Sequence, residues 1–399
     1  MASDPNKISV RHLNLVAYGG AAIAARRISD ANLSAGMDSS FEILQPDIQK
    51  QEIIKRVVNK YDRHLANSAK TKYEFSILKS LFSASVIPGN EGIVNLHWVP
   101  GLHPRLNLGL KGLIKIQTLH DMNSLTGGCH HAFSCLNYLQ NCGRCPQVNF
   151  ADQPLVSAAF TMRKNFNNVQ AYIAPSKWIE DIALSSPLTM NALVSCIPNP
   201  IPDIFFSKQR KIRGGSNNRG RINVGVLGSN YNHNKNANKV IESINRVQNL
   251  IEADLQIHVL GNLHENCGPP QVQNLEAGAS EEQVSDFLGG CDLFIYASLA
   301  DTFPSILIEA QAMGVAVVAY DIGGAVETFQ NEVSGLSVKN LSGELERTLV
   351  ELLNDSQKIE EMKESAREIA KTNYSYKSIG KKHLELYTEL ISRERFRNR

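Results

Sequence analysis

The 399-residue sequence predicts an α/β protein made of two doubly wound domains with parallel sheets. Three observations carry that prediction. Short β-branched runs alternate with longer amphipathic ones, the signature of βαβ units. The alternation continues through both halves of the chain, with no fixed-period repeat and no low-complexity tract. The length also exceeds the roughly 100 to 200 residues usual for one domain, so two are expected.

Taken in order, HLNLVAY (12–18) reads as a strand, and after Gly19 and Gly20 the run AAIAARRISDANLSAG reads as a helix stopped at Gly36. GIVNLHW (92–98) and IKIQTLH (114–120) are buried-strand candidates, each delivering a histidine at its carboxyl end. QAYIAPS (170–176) follows as a strand, with a helix from Lys177. In the second half, RINVGVLGS (221–229) and DLQIHVLG (254–261) are strands, separated by a helix beginning near Asn236. Ser280 with Gln283 three positions on forms a capping box, and Gly289 and Gly290 close that helix. CDLFIYAS (291–298) is a strand, FPSILIEAQAMG a helix closed by Gly314, and VAVVAY (315–320) the next strand.

IPNPIPDIFFSKQRKIRGGSNNRG, with three prolines followed by a basic, glycine-rich stretch, marks the domain boundary. The expected division is 1–200, 201–375, and a helical segment 376–399 that returns to the first domain.

Composition narrows the function classes. A net charge of +2, with the basic residues scattered, gives little basis for gripping a phosphate backbone, so nucleic acid is not expected as a partner. MASDPNKISVRH has charges and a proline where a signal peptide needs an apolar run, and no apolar run approaches the roughly 18 residues that span a bilayer. The expected location is cytoplasmic, with peripheral contact at the inner face of the membrane left open. Lys50, Lys55, Arg56, Lys60 and Arg63 read as the solvated face of a helix, with anionic lipid head groups as the alternative.

Four places at strand ends carry candidate chemistry, because doubly wound domains bind ligands there. Gly19 and Gly20 let backbone amides approach a phosphate, or serve only the turn. Lys235, in the loop after the strand that ends at Leu227, offers a charge to a diphosphate, and Ser229 a hydroxyl. In DTFPSILIEA, Asp301 and Glu309 lie a little over two helical turns apart, and a carboxylate in so apolar a helix needs a polar partner such as a ribose hydroxyl pair. His120, beside Asp121, reads either as a hydrogen-bond partner for a substrate hydroxyl or as a structural histidine.

TLHDMNSLTGGCHHAFSCLNYLQNCGRCPQ (118–147) adds a cluster of cysteines, Cys129, Cys135, Cys142 and Cys145, with spacing C-x5-C-x6-C-x2-C. Only the last pair has the hairpin spacing zinc favours. A disulfide framework does not suit a reduced compartment. A structural zinc on the four thiolates, with His130 or His131 as substitutes, and an unmetallated glycine-hinged loop are the two readings. A closed four-ligand site leaves no open position, so no catalytic metal is expected. Cys196, Cys267 and Cys291 read as small buried hydrophobes.

GGAAIAARRI, the linker IPNPIPDIFF and above all DTFPSILIEAQAMGVAVVAYDIGGAVE resemble the retaining glycosyltransferases of family 4, the group 1 transferases. The last segment resembles the family's E-x7-E element with its downstream GG-x-x-E at Gly323, Gly324 and Glu327. The resemblance covers most of the chain and implies a GT-B fold, two Rossmann-like domains facing across a cleft. It implies that Glu309 holds ribose hydroxyls and that Asp301, one methylene shorter than the family's first glutamate, contacts the donor sugar. Backbone amides near Phe303 to Ile306, the stretch that includes Pro304 and Ser305, would meet sugar and diphosphate, Lys235 would neutralise the leaving pyrophosphate, and His120 would be the active-site histidine near the transferred sugar. Ser229 stands where many members carry arginine. The cysteine loop resembles that of a subset associated with surface-polysaccharide pathways.

The implied activity is transfer, with retention, of a sugar from a nucleotide-diphosphate sugar to a hydroxyl of a glycan or lipid-linked glycan, by front-face attack assisted by the leaving phosphate. Two alternatives stay open: a nucleotide-sugar epimerase of the same fold, and a catalytically inactive nucleotide-binding scaffold with a cysteine-rich interface. A nicotinamide dehydrogenase is disfavoured because G-x-G-x-x-G is absent after the first strand.

Overall fold

The computed structural model describes residues 7–44, 92–99, 112–166, 168–208, 220–228, 235–261, 263 and 279–397. Ser229, Cys267 and the basic run from Lys50 to Arg63 lie outside the described residues. The chain divides into two compact units, one running to Pro200 and resuming at Tyr376, the other spanning Ile201–Ser375.

The first unit opens with β1 (Ser9–Asn14), which begins and ends earlier in the chain than the expected 12–18. Asn14 ends it: its amide nitrogen donates to Val16 O at 2.7 Å while its oxygen accepts from the Trp98 amide at 2.7 Å, turning the chain out of the sheet. Gly19, at φ +88°, starts α1 (Gly20–Ser34), and Gly36, at φ +84°, lets the chain leave it in the left-handed conformation. Then come β2 (Asp38–Ile43), β3 (Ile93–Leu96), β4 (Ile114–Thr118), α2 (Gln153–Phe166), β5 (Ala171–Ala174), α3 (Lys177–Leu184) and β6 (Leu193–Cys196). Ser176 caps α3 by accepting from the Ile179 amide. The strands form one parallel sheet in the order β2-β1-β3-β4-β5-β6.

A one-turn helix, Ile204–Ser207, leads into the second unit, which holds β7 (Arg221–Leu227), α4 (Ala237–Gln248), β8 (Asp254–Leu260), α5 (Glu281–Leu288) and β9 (Leu293–Tyr296). It continues with α6 (Ser305–Ala312), β10 (Ala316–Tyr320), β11 (Gly335–Val338), α7 (Glu344–Leu353) and α8 (Ser356–Tyr374). The capping box closes as the sequence predicts, with the Ser280 amide donating to Gln283 Oε1 at 2.8 Å and the Gln283 amide to Ser280 Oγ at 3.3 Å. Five parallel strands run in the order β11-β10-β9-β7-β8. Successive strand residues point to opposite faces. Leu293 and Ile295 therefore join one core with Ile241 and Leu349, while Phe294 and Tyr296 join the other with Leu307 and Ile308. Burial on both faces is why LFIY is apolar without alternation.

Ile201 and Ser375 pair as a bridge, so the second unit begins and ends at one place. From there α9 (Tyr376–Arg397) rejoins the first unit, seating Ile379, Leu386, Tyr387 and Leu390 against Val10, Ile93, Ile116 and Ile173. A Cβ at Gly380 would stand 2.2 Å from the Ala31 carbonyl oxygen, so α9 lies on α1 closer than any side chain there would permit.

Candidate functional site

In a doubly wound sheet, ligands collect outside the carboxyl ends of the strands where the strand order reverses. In the first unit that point lies between β1 and β3, and in the second between β7 and β9. Each unit gathers polar side chains there.

In the first unit three imidazoles form a chain. Asn32 Nδ2 lies 2.9 Å from His12 Nε2, His12 Nδ1 is 2.9 Å from His97 Nε2, and His97 Nδ1 is 2.8 Å from His120 Nε2. His12 and His97 are buried, while His120 lines a pocket with Trp98, Thr118, Asp121 and Asn123. Burial holds His120 at about 4, and burial with the nearby His383 holds His12 at about 3. Burial, then its histidine neighbours, keep His97 well below its ordinary value. All three rings are therefore neutral at physiological pH. The chain rests on Tyr387 of α9, whose hydroxyl meets the amides of Asn32 and Asn95 and, at 3.1 Å, His383 Nδ1.

Asp121 anchors the loop that follows. Its Oδ2 lies 2.6 Å from His130 Nδ1 and accepts from Trp98 Nε1 at 3.1 Å, and its Oδ1 accepts from the Asn123 amide at 2.7 Å. Burial works to raise this carboxyl, but the charge and hydrogen bond of His130, with the Asn123 amide, outweigh it and hold it at about 2. Arg163 of α2 reaches in to bind the carbonyls of Asn123 and Thr126. A Cβ at Gly127 would stand 2.5 Å from the Val156 carbonyl oxygen, so Gly127 is required by packing against α2.

The four cysteines of this loop are reduced and share one core, Cys129, Cys142 and Cys145 buried and Cys135 half-buried. Each lies within electrostatic reach of the other three. Cys142 Sγ accepts from the Gly127 amide at 3.2 Å, and Cys145 accepts from the amides of Gln147 and Val148. Burial raises all three buried thiols, Cys142 to about 11, so they are protonated as they stand. Among the described residues no three His, Cys, Asp or Glu side chains stand at the spacing of a formed metal site.

Gly19 and Gly20 are exposed at the start of α1, with nothing within 4 Å of a Cβ built on either and no side-chain cap on the helix.

In the second unit Lys235, after β7, and Asp301, after β9, meet as an ion pair at 3.0 Å. Tyr296, the last residue of β9, completes a triangle: Lys235 Nζ donates to its hydroxyl at 2.7 Å, and the hydroxyl donates to Asp301 Oδ2. Burial works to lower the Lys235 ammonium, but Tyr296 and Asp301 outweigh it and raise it, so the lysine is charged. Asp301 Oδ1 accepts from the Phe303 amide at 3.1 Å, shaping the entry to α6, whose N-cap is Pro304 and whose first residues are Ser305 and Ile306. Glu309 is buried one turn further along α6. The glycine pair has a steric reason: Gly323 has φ +50°, and a Cβ on it would stand 2.1 Å from the Asp301 carbonyl oxygen, which accepts from the Gly324 amide at 3.2 Å.

The structure thus joins Lys235 with Asp301, joins His120 with Asp121 through the pocket they line, and gathers the four thiols. Sequence reasoning missed Tyr296, Trp98, His12 and Asn32 as members of these clusters. Tyr296 had a signal, a tyrosine hydroxyl at the carboxyl end of an apolar strand. His12 and Asn32 had none, since their pairing depends on α1 crossing β1.

Residues 208–369 match the family described as Glycosyl transferases group 1. Among curated proteins, the chain is 27% identical over 139 residues to the N,N'-diacetylbacillosaminyl-diphospho-undecaprenol alpha-1,3-N-acetylgalactosaminyltransferase of Campylobacter jejuni, covering 33% of this chain and 37% of that protein. It is 22% identical over 225 residues to the putative colanic acid biosynthesis glycosyl transferase WcaC of Escherichia coli, covering 54% of each. The chain spans between about a third and a little over half the length of these two relatives. Among solved structures, a glycosyltransferase from Rickettsia africae superposes with a TM-score of 0.60 over 97% of this chain and 99% of that one, at 15% identity. The Anabaena protein HepE, solved with UDP-glucose, gives 0.60 over 96% and 100%, at 16% identity. The fold is that of the GT-B glycosyltransferases.

Proposed function

We propose that this protein is a retaining glycosyltransferase that moves a sugar from a nucleotide-diphosphate sugar to a hydroxyl of a glycan or lipid-linked glycan. The observation that carries the reading is the Lys235–Tyr296–Asp301 triangle. It sits at the switch point of the unit that contains the family match, and it ends at the mouth of the helix bearing Glu309. A charged lysine held at a strand end suits the developing diphosphate charge, where fixed electrostatics supply the largest part of catalysis. Glu309 takes the ribose hydroxyls, and the Ser305 and Ile306 amides that open α6 meet the sugar and diphosphate, since the Phe303 amide is already given to Asp301 Oδ1 and Pro304 has no N–H. Gly19, Gly20 and His120 serve the first unit's side of the reaction, His120 beside the transferred sugar. The Asp301 carboxylate is held by Lys235, the Tyr296 hydroxyl and the Phe303 amide, which supports front-face attack, with the leaving phosphate taking the proton, over attack by a side chain.

One named relative transfers to a diphospho-undecaprenol-linked sugar and the other is a putative transferase of colanic acid biosynthesis, which supports a glycan or lipid-linked acceptor and a place in polysaccharide synthesis. Among the described residues no helix is long and apolar enough to cross a membrane. We place the reaction in the cytoplasm, with peripheral contact at the membrane where the acceptor is lipid-linked. The cysteine loop takes a structural zinc on this reading: four thiols with amide donors on two of the sulfurs are the chemistry such a site uses. It would stiffen the loop after His120 and take no part in the transfer. Protein purified without chelator should then hold about one zinc per chain. A metal-free chain of undiminished stability would leave the thiols as packing groups.

The direct test is release of nucleoside diphosphate from a panel of nucleotide sugars, with and without glycan acceptors. Wild type should turn over one donor in an acceptor-dependent way, and Lys235→Ala should lower kcat by roughly 10²-fold or more. Conversion of the donor without any acceptor would instead identify an epimerase. Turnover that Lys235→Ala leaves intact would remove the triangle from the mechanism.

A further inference from the structure

The imidazole chain in the first unit ends at the pocket, and its far end is a side chain that never reaches it. Each neutral imidazole carries one N–H, and each ring-to-ring contact uses one donor and one acceptor. Three neutral rings joined by two such contacts must therefore all point the same way. Either every ring carries its proton on Nδ1 or every ring carries it on Nε2. The group that chooses is Asn32.

The Asn32 amide faces two groups that can each donate or accept, His12 Nε2 at 2.9 Å and the Tyr387 hydroxyl. With its NH2 turned to both, each N–H has a partner, and the cost is one buried carbonyl oxygen, Oδ1, with no partner among the described residues. The opposite orientation would satisfy that oxygen and strand both N–H groups in its place. Orphaned buried N–H groups are the rarer and costlier defect. Asn32 therefore donates to His12, His12 Nδ1–H donates to His97 Nε2, and His97 Nδ1–H donates to His120 Nε2.

We infer that the buried chain Asn32–His12–His97 fixes the tautomer of His120, so that His120 presents Nδ1–H to the pocket as a hydrogen-bond donor and not as a base. Asn32, His12 and His97 are positioning residues. His120 is the group at the pocket, with Nε2 occupied inward and Nδ1 left for a ligand. The ligand atom it suits is an oxygen acceptor, such as a sugar hydroxyl or ring oxygen. As a statement about a sugar this rests on the glycosyltransferase reading, but the tautomer itself does not.

The test is histidine-selective 15N NMR of the full chain, with the His120 signals assigned by their loss in His120→Gln. In wild type at neutral pH, His120 Nδ1 should appear as the protonated, pyrrole-type nitrogen and Nε2 as the pyridine-type one. Asn32→Asp offers an acceptor where the amide donated, so the two signals should exchange types along His12, His97 and His120. A His120 protonated on Nε2 in wild type overturns the inference, and so does the same tautomer in wild type and a folded Asn32→Asp. If Asn32→Asp fails to fold, the wild-type spectrum alone decides the tautomer, and Asn32→Leu, which removes the donor without adding charge, should leave His120 a mixture of both forms. A correct tautomer in a protein that turns over no nucleotide sugar would count against the proposed function alone.

Discussion

Among the described residues, the Asp301 carboxylate is held on three sides, by Lys235, the Tyr296 hydroxyl and the Phe303 amide, and the residue's carbonyl meets Gly324. The triangle is built around the shorter acid, so Asp301→Glu, although it installs the residue the family more often carries, should lower turnover. A drop of at least ~10-fold, about 1.4 kcal/mol, is expected in initial-rate assays, and a gain would mean the carboxylate's reach to the sugar matters more than its place in the triangle. The buried histidines set the acid limit of the fold. In the unfolded chain they bind protons near 6.5, whereas His12 and His120 do so only at about 3 and about 4 in the folded protein. Between those values the unfolded state binds more protons, so stability is complete above pH 6.5 and falls as pH drops toward 4. Asp121, held at about 2, loses its contribution only below its ordinary 3.8. Urea denaturation across pH 7 to 4 should show this decline. A flat profile would mean the rings are solvated or already charged.

Among elements, the strands that sequence reading missed share an edge position, although the edge strand β8, seven residues long, was found. The interior strands β1, β3, β4, β5, β7, β9 and β10 were expected, and all have neighbours on both sides. The missed strands β2, β6 and β11 are all at sheet edges. DSSFEI is largely polar, and LVSC and GLSV are four residues each, so hydrophobic periodicity had little to report. The helix starts after Ser176 and Ser280, where a serine caps the helix, were legible, whereas the start of α8, capped by Asp355, was not read. The strand ends that carry Lys235, Asp301 and His120 could be read for the same reason the interior strands could, but which polar groups meet there depends on strand order. No local pattern encodes that order, which is why Tyr296 and Asn32 emerged only from the structure. The turn at Gly323 also belongs to this scale, because it holds an element end in place by close backbone contact. Gly323→Ala would force a Cβ against the Asp301 carbonyl at a left-handed φ, so it should cost more than ~1 kcal/mol in thermal unfolding and should lower donor binding as well. Unchanged binding would show that the turn does not position Asp301.

For the whole molecule, the fold class follows from the alternation of strand and helix patterns, and the structure and its GT-B neighbours agree with it. On the proposed function, the unit spanning Ile201–Ser375 holds a nucleotide-sugar donor through Glu309 and the Lys235 triangle. The most direct measurement is thermal unfolding of the wild type and of Glu309→Ala against nucleoside diphosphates and their sugars. A ligand at ~100 times its dissociation constant stabilises the folded state by about 2.7 kcal/mol. One nucleotide family should raise the wild-type Tm and leave Glu309→Ala unmoved. An absence of stabilisation by any nucleotide, or equal stabilisation of both proteins, would contradict the proposed function.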